Sequence, residues 1–208
     1  MSTQLTKHLL FKAALVLTAL VPLASYGGIT GTAHDLSTQL WNTSGQICIV
    51  CHTPHNAQAT QLSPLWNHAA TATSFTLYTS NTLLAVPGQP AGISKACLSC
   101  HDGTIALSSM GSATGGADRI TAANLIGTSL SDDHPVSFAY DAALVTADGG
   151  VGLVSPTSTS FVDAARTVPL FAGKMECASC HNVHDNTIDK FLRKSNTGSA
   201  LCLTCHIK

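Results

Sequence analysis

The sequence has few charged and few aromatic residues. Only 10% of its 208 residues are charged and 5% are aromatic, and the formal net charge is −1. No stretch is basic enough to bind nucleic acid, and the low charge also argues against a highly charged disordered tail. Because aromatic side chains usually dominate the burial of apolar surface, their scarcity predicts a small hydrophobic core. We therefore expect something other than side chains to fill the centre of the fold.

Long hydrophobic runs are also scarce, and the one that stands out lies close to the N-terminus. Lys7 and Lys12 precede the apolar run 13–23, and small residues follow at 24–27. This order predicts a secretory signal peptide over residues 1–27. The alternative is a transmembrane anchor, but the apolar run is too short to cross a bilayer. We therefore expect an exported protein without a membrane span, in the periplasm, at the cell surface or outside the cell.

Cysteine, in contrast, is abundant. An exported protein with eight cysteines would ordinarily form disulfides, but here all eight fall into C-x-x-C-H motifs with none left over. The four motifs are Cys48-Ile-Val-Cys51-His52, Cys97-Leu-Ser-Cys100-His101, Cys177-Ala-Ser-Cys180-His181 and Cys202-Leu-Thr-Cys205-His206.

The motif spacing has a chemical reason. Two thiols three residues apart can bond the two vinyl groups of one porphyrin, and the following histidine then lies under the iron as its proximal ligand. Zinc and iron–sulfur sites also use paired cysteines, but neither needs a histidine directly after each pair. The sequence therefore predicts four covalently bound haem c groups, with all eight cysteines as anchors. The predicted proximal iron ligands are His52, His101, His181 and His206.

Methionine is too scarce to supply the second axial ligands. After Met1, only Met110 and Met175 remain, so histidine on both sides of every iron is the simplest arrangement. The absence of methionine ligation favours low reduction potentials. Five histidines outside the signal peptide and the motifs are candidates for four distal positions. They are His34, His55, His68, His134 and His184.

The sequence position of each spare histidine indicates how well it suits a distal ligand. His55 and His184 follow a proximal histidine by three residues, which suits one helical turn and directs them to a neighbouring iron; the alternative is a hydrogen bond to a haem propionate. His134 precedes a proline that favours an extended or turn geometry. His34 lies in an N-terminal arm, where it is either a ligand or merely exposed. His68 ranks last, because its Leu-Trp-Asn context suits a packed turn.

The motifs alternate between two types along the chain. The first and third motifs continue as C-x-x-C-H-x-x-H, whereas the second and fourth do not. Duplication of a two-haem unit would produce this alternation. We expect a single domain over 28–208, with two-haem units at about 28–107 and 174–208. A loop at 108–131 and strands after it, including a hairpin at 143–154 with an Asp-Gly-Gly turn, should join them. The predicted fold is mostly irregular and haem-cored, with short helices at the motifs and a few short strands.

Beyond the motifs, several short stretches resemble the doubled-CXXCH multihaem cytochromes c. More narrowly, the chain resembles the exported tetrahaem cytochromes of metal-reducing bacteria that polymerise into electron-conducting filaments. This resemblance implies stacked haems with His/His ligation and one distal histidine supplied by the neighbouring subunit. The stretches that carry it are His34-Asp35-Leu36-Ser37, Cys51-His52-Thr53-Pro54-His55-Asn56, Pro64-Leu65-Trp66-Asn67-His68, Cys97-Leu98-Ser99-Cys100-His101-Asp102-Gly103, Asp133-His134-Pro135-Val136 and Cys202-Leu203-Thr204-Cys205-His206.

These observations favour electron transfer over catalysis. Irons with two histidine ligands have no open position for a substrate, so no catalytic residue is predicted and the chain is not expected to be an enzyme. A reductase with one vacant haem is the alternative. Expected partners are redox proteins or extracellular electron acceptors, together with further copies of this chain. A monomeric periplasmic low-potential carrier remains the alternative to a filament subunit.

Overall fold

The structure, a computed structural model, describes residues 28–58 and 63–208. The predicted signal peptide lies outside these residues. Most of the described backbone is irregular, with turns and isolated bridges between short regular elements. The predicted fold class, an irregular chain with short helices and few strands, is confirmed. Within the described segments, no helix combines the length and the hydrophobicity needed to cross a membrane.

The regular elements are few and short. Three α-helices and one antiparallel pair of strands are described, and short 3-10 turns accompany them. The helices are α1 (Gly92–His101), α2 (Ala142–Ala147) and α3 (Cys177–Cys180), and the strands are β1 (Phe138–Ala139) and β2 (Lys174–Met175). The 3-10 turns are Ala122–Asn124, Asp189–Phe191, Thr197–Ser199 and Cys202–Thr204.

Each C-x-x-C-H motif forms a single helical turn or a close equivalent. The second motif ends helix α1, the third forms α3, and the fourth forms the 3-10 turn Cys202–Thr204. The first motif is a hydrogen-bonded turn in which the His52 N–H donates to the carbonyl of Cys48 at 2.9 Å. This compact turn sets the spacing between the two thiols and the histidine of each motif.

The predicted hairpin at 143–154 is wrong. The structure has helix α2 there, and its N-cap is Asp141, whose side chain accepts a hydrogen bond from the Leu144 N–H at 2.9 Å. Such a cap stabilises the first helical turn. Gly149 and Gly150 then take positive φ values, which end the helix rather than connect two strands.

Among the strands predicted after residue 131, the alternating stretch 136–140 is partly confirmed as a strand. Phe138 pairs with Met175, and Ala139 pairs with Lys174, in the antiparallel ladder of β1 and β2. Phe138 is buried and Ala139 is exposed, as alternation along a strand requires. The pair is two residues long, so it fixes the direction of the chain into α3 rather than forming a sheet core.

The buried apolar side chains of the described residues form three small clusters instead of one large core. Two of them flank helix α1: Trp66 packs with Ala96, and Phe75 packs with Leu98 and Leu130. This division agrees with the expectation of a small side-chain core. The largest cluster lies beside the strand pair and contains Phe138, Tyr140, Val162, Val168, Leu170 and Met175.

Candidate functional site

The four cysteine pairs lie next to one another in their sequence order. Burial, followed by the nearby Cys51 thiol, raises the pKa of Cys100 to about 12, so the first motif adjoins the second. The Cys97 and Cys177 thiols lie close enough to shift each other's pKa, which is raised for Cys97 and lowered for Cys177. This pair joins the second motif to the third.

The third and fourth motifs are adjacent in the same way. Burial is the main cause of the raised pKa of Cys180, and the neighbouring Cys177 and Cys202 thiols add to it. Burial and then Cys180 raise the pKa of Cys205 to about 11. The predicted anchors thus form one continuous series, and haems bonded to them would be close neighbours.

Three of the four predicted proximal histidines are held in one orientation by backbone carbonyls. The Nδ1 atoms of His52, His101 and His181 lie 2.7, 2.9 and 2.8 Å from the carbonyl oxygens of Pro64, Asn124 and Lys190. A neutral imidazole that donates from Nδ1 has its Nε2 lone pair free, and such outer hydrogen bonds commonly orient metal-ligating histidines. The structure therefore presents these rings in the tautomer that binds iron.

Three pairs of histidine rings have the separation expected for two ligands of one iron. With metal–nitrogen bonds of about 2 Å, two imidazoles on opposite faces of a haem have ring centres about 6 Å apart. The angle between the two ring planes differs from pair to pair. This is compatible with shared ligation, because each imidazole can rotate about its own metal–nitrogen bond. The ring centres are 6.1 Å apart in His34–His101, 6.2 Å in His52–His184 and 6.4 Å in His134–His206.

Each pair joins one motif histidine to one predicted distal histidine. The three distal rings share a second property, because burial lowers the pKa of His34, His134 and His184. A lowered pKa keeps an imidazole neutral near pH 7, and only the neutral form can ligate iron. The chain's own residues therefore fit haem with histidine on both faces at these three positions.

His184 lies beside a haem anchor other than its own, as the three-residue offset predicts. It belongs to the third motif, but its ring centre lies 6.2 Å from that of His52 of the first. The helical turn assumed for this offset is absent, since helix α3 ends before His181 and His181 is extended, with φ −113° and ψ 142°. An extended step followed by a turn at Asn182 carries His184 away from its own motif.

His34 comes from the N-terminal arm and is held mainly by packing. Its ring contacts the edge of Phe191, with ring centres 4.8 Å apart, and its Nδ1 is buried without a hydrogen-bond partner in the described residues. The arm itself is tied down where the Gly28 N–H donates to the carbonyl of His184 at 3.1 Å. Packing against two other segments thus positions His34 opposite His101.

His68 is placed differently from the other candidates. It is fully buried, and both ring nitrogens face backbone carbonyls: Nδ1 lies 2.9 Å from that of Ala69, and Nε2 lies 3.1 Å from that of Ala106. Because a carbonyl oxygen lies against each ring nitrogen, neither nitrogen is open to an iron. The placement favours the packed turn over ligation for His68.

His55 and His181 form no such ring pair with any described residue. Both side chains are exposed. His55 borders an open pocket with Thr53, Asn67 and Met110. The proximal histidine His181 and the distal candidate His55 thus remain without a paired ring, and both side chains are exposed.

The alternatives to haem anchoring gain no support from the geometry. None of the eight cysteines forms a disulfide. The part of the chain that the structure describes brings together no group of three or more His, Cys, Asp or Glu side chains suited to a bare metal ion. A zinc site would need such a group, usually of four ligands.

Comparison with known proteins supports the haem interpretation. A family model described as the doubled CXXCH motif matches residues 169–208, which contain the third and fourth motifs. None of the curated proteins compared with the chain matches it. The family match indicates covalently bound c-type haem and supports a relationship to multihaem cytochromes c that transfer electrons.

Sequence reasoning missed two parts of this region. The carbonyls that orient the proximal histidines belong to Pro64, Asn124 and Lys190, and a backbone carbonyl carries no sequence signal. It also missed Glu176, a buried carboxyl next to Cys177. The only available signal was its place directly before a C-x-x-C-H motif in a chain with few acidic residues.

Proposed function

We propose that this chain transfers electrons through four covalently bound c-type haems, each with two histidine ligands. The observation that carries the proposal is the set of three histidine pairs, each joining a motif histidine to a distant one about 6 Å away. The four adjacent cysteine pairs and the doubled-CXXCH match support the same conclusion. Export to the periplasm or beyond, predicted from residues 1–27, suits this function.

In this function, the protein holds the haems and orients the histidines that bind their irons. When bound, the haem group supplies an iron that accepts and releases one electron. The cysteines fix each porphyrin to the backbone, and the carbonyls of Pro64, Asn124 and Lys190 hold three proximal rings in the iron-binding tautomer. Short links between successive anchors, such as the Cys97–Cys177 contact, keep neighbouring redox centres close enough for an electron to pass along the series.

Two histidine ligands leave no place for a substrate, so the proposed function is electron exchange without catalysis. The scarcity of methionine favours low reduction potentials for all four centres. Expected electron donors and acceptors are other redox proteins or extracellular acceptors. An enzyme would require an iron that stays open in the working state of the protein.

The remaining pair of histidines suggests how copies of the chain associate. We propose that His55 of one subunit ligates the iron held by His181 in the next, since each is exposed and neither pairs with another histidine ring among the described residues. The resemblance to filament-forming tetrahaem cytochromes favours the same arrangement. A head-to-tail contact of this kind produces a filament when its rotation does not close into a ring.

The assembly proposal is tested with His55→Ala, compared with His68→Ala as the matched control. Negative-stain microscopy of the secreted full-length protein should show filaments for the wild type and His68→Ala, and dispersed subunits for His55→Ala. Ferric spectra of the dispersed subunits should show one high-spin haem that binds carbon monoxide after reduction. Free imidazole should restore the low-spin spectrum without restoring filaments.

Two outcomes would contradict this account. If His55→Ala subunits keep four low-spin haems and the wild type forms no filaments at high concentration, the chain is a monomeric carrier. If the assembled wild type itself retains a high-spin haem that binds carbon monoxide, a vacant site persists and the reductase alternative is favoured.

A further inference from the structure

Glu176 is a buried carboxyl between the helices that carry the second and third haem motifs. Its side chain is only 5% exposed, and it caps helix α3, which packs against α1. Its carboxylate accepts hydrogen bonds from the Ser137 hydroxyl at 2.8 Å and from the Ser94 hydroxyl, and its backbone N–H donates to the Ser179 hydroxyl at 3.0 Å. Neither haem attachment nor iron ligation uses this group.

The same network touches both haem anchors. The Ser94 Oγ, which donates to Glu176, also accepts a hydrogen bond from the Cys177 N–H at 2.9 Å. The Cys177 sulfur in turn lies beside that of Cys97 of the second motif. A charge on Glu176 therefore lies within a few bonds of the attachment points of two haems.

Few other charged groups face Glu176. Ser94 of helix α1 and Ser137, which directly precedes strand β1, contact the carboxyl, and neither serine titrates. The charged neighbour is Lys174 of strand β2, which favours the ionised carboxylate. On its own helix the titratable neighbour is Cys177, and that thiol loses its proton when it bonds a porphyrin vinyl group.

We infer that Glu176 is a proton-binding site whose occupancy is coupled to electron uptake by the haems anchored at Cys97 and Cys177. In the coupled step, a redox partner protein would supply one electron to a haem bound at Cys97 or Cys177. One proton from water then binds a carboxylate oxygen of Glu176, so the charge added to the buried region is cancelled. A serine hydroxyl both donates and accepts, so Ser137 can turn to accept from the new O–H.

The electrostatics support this coupling. Burial raises the pKa of Glu176 and outweighs the hydrogen bonds from Ser94 and Ser137 and the nearby Lys174, which lower it. An added electron nearby disfavours the carboxylate further, so the reduced protein binds the proton more tightly than the oxidised protein. By linkage, the haem reduction potential is higher at acidic pH and falls as pH rises between the two pKa values.

The inference rests on haem attachment at the two middle motifs, not on filament formation. The mass of each preparation after denaturation counts its haems first, which separates a failure of haem attachment from a failure of proton coupling. Redox titrations then follow on the holoprotein from about pH 4 to about pH 9, a range that brackets ordinary and raised carboxyl pKa values. Infrared difference spectra between the oxidised and reduced protein give a second readout, the carbonyl band of a protonated carboxyl.

For the wild type, we expect two haem potentials that fall with rising pH and a carboxyl band that appears on reduction. Glu176→Gln should abolish both effects while keeping the full haem count. Asp163→Asn is the matched control. Burial tends to raise the Asp163 pKa, but hydrogen bonds from Thr167 and Val168 lower it overall. Asp163 therefore stays ionised near pH 7, and its variant should keep the pH dependence.

A second variant tests the same site without removing the carboxyl. Ser137→Ala deletes a donor that stabilises the carboxylate, so the pH-dependent range should move to higher pH. Wild-type potentials that do not change with pH would overturn the inference. A pH dependence of the potentials that survives in Glu176→Gln would also overturn it. If Glu176→Gln does not yield folded protein, an unshifted pH range in Ser137→Ala would overturn it instead.

Discussion

A histidine can bind iron through Nε2 when that nitrogen is left free. In this chain, three backbone carbonyls leave it free by accepting a hydrogen bond from Nδ1 of the same ring. Pro64, Asn124 and Lys190 each accept from the Nδ1 of a motif histidine. His68 shows the opposite case, because carbonyls face both of its nitrogens. At the residue scale, the partners of the ring nitrogens thus distinguish candidate ligands from a structural histidine.

His184→Ala tests the ligand pairing directly. Because the His184 ring lies 6.2 Å from that of His52, the variant should open the haem anchored at Cys48 and Cys51. We expect one of four ferric haems to become high-spin, and paramagnetic NMR should assign the changed axial resonances to His52. His68→Ala serves as the control and should keep every haem low-spin. Loss of the ligand opposite His181 instead would show that the pairing is wrong.

At the scale of elements, the fourth motif depends on one buried tyrosine. The Tyr140 hydroxyl donates to the carbonyls of Val154 at 2.7 Å and Cys205 at 3.1 Å, and its ring lies in the largest apolar cluster. This side chain therefore ties the last haem motif to the strand pair. The C-terminal turn is also held by a backbone bond from the Ile207 N–H to Gly152 and by a bond from Lys194 Nζ to the Thr204 hydroxyl at 2.8 Å.

Tyr140→Phe should lower the stability of the holoprotein by about 1 to 3 kcal/mol, since it leaves a buried carbonyl without its donor. Chemical denaturation monitored by haem absorbance measures the change. Tyr78→Phe is the matched control, because the Tyr78 hydroxyl bonds no other described residue. Equal stability of the two variants would show that the Tyr140 contacts do not hold the fourth motif.

The sequence predicts the local parts of the site better than the distant ones. The cysteine pairs and their histidines follow from spacing within five residues, and so does the turn that each motif forms. The pairing of His34 with His101 depends on how an N-terminal arm packs against Phe191, which no local pattern records. The hairpin prediction failed for a local reason, because the Asp141 cap favours helix α2 over an apolar strand.

At the scale of the whole molecule, contacts run between the two predicted two-haem units. The Cys97–Cys177 contact and the packing of α1 on α3 join the second motif directly to the third. His184 also crosses from the third motif to the first. Residues 108–131, between the two halves, are mostly turns with one 3-10 turn at Ala122–Asn124, and they contact the second motif through the Asn124 carbonyl and Leu130.

The series of haem anchors accounts for the small side-chain core. The described apolar clusters are separate, and each lies beside one or two motifs. Haems bonded between them would supply much of the apolar contact that aromatic residues provide elsewhere. The protein is therefore expected to fold fully only when its cysteines are bonded to haem.

The most direct test of the central claim is the mass of the unfolded protein, purified from a host that attaches haem to C-x-x-C-H motifs. Covalent thioether bonds survive denaturation, so the mass reports how many haems the chain holds. We predict the mature chain plus four haems, with no free thiol left to react with an alkylating reagent. A mass with fewer than four haems, or cysteines that remain free or form disulfides, would contradict the account.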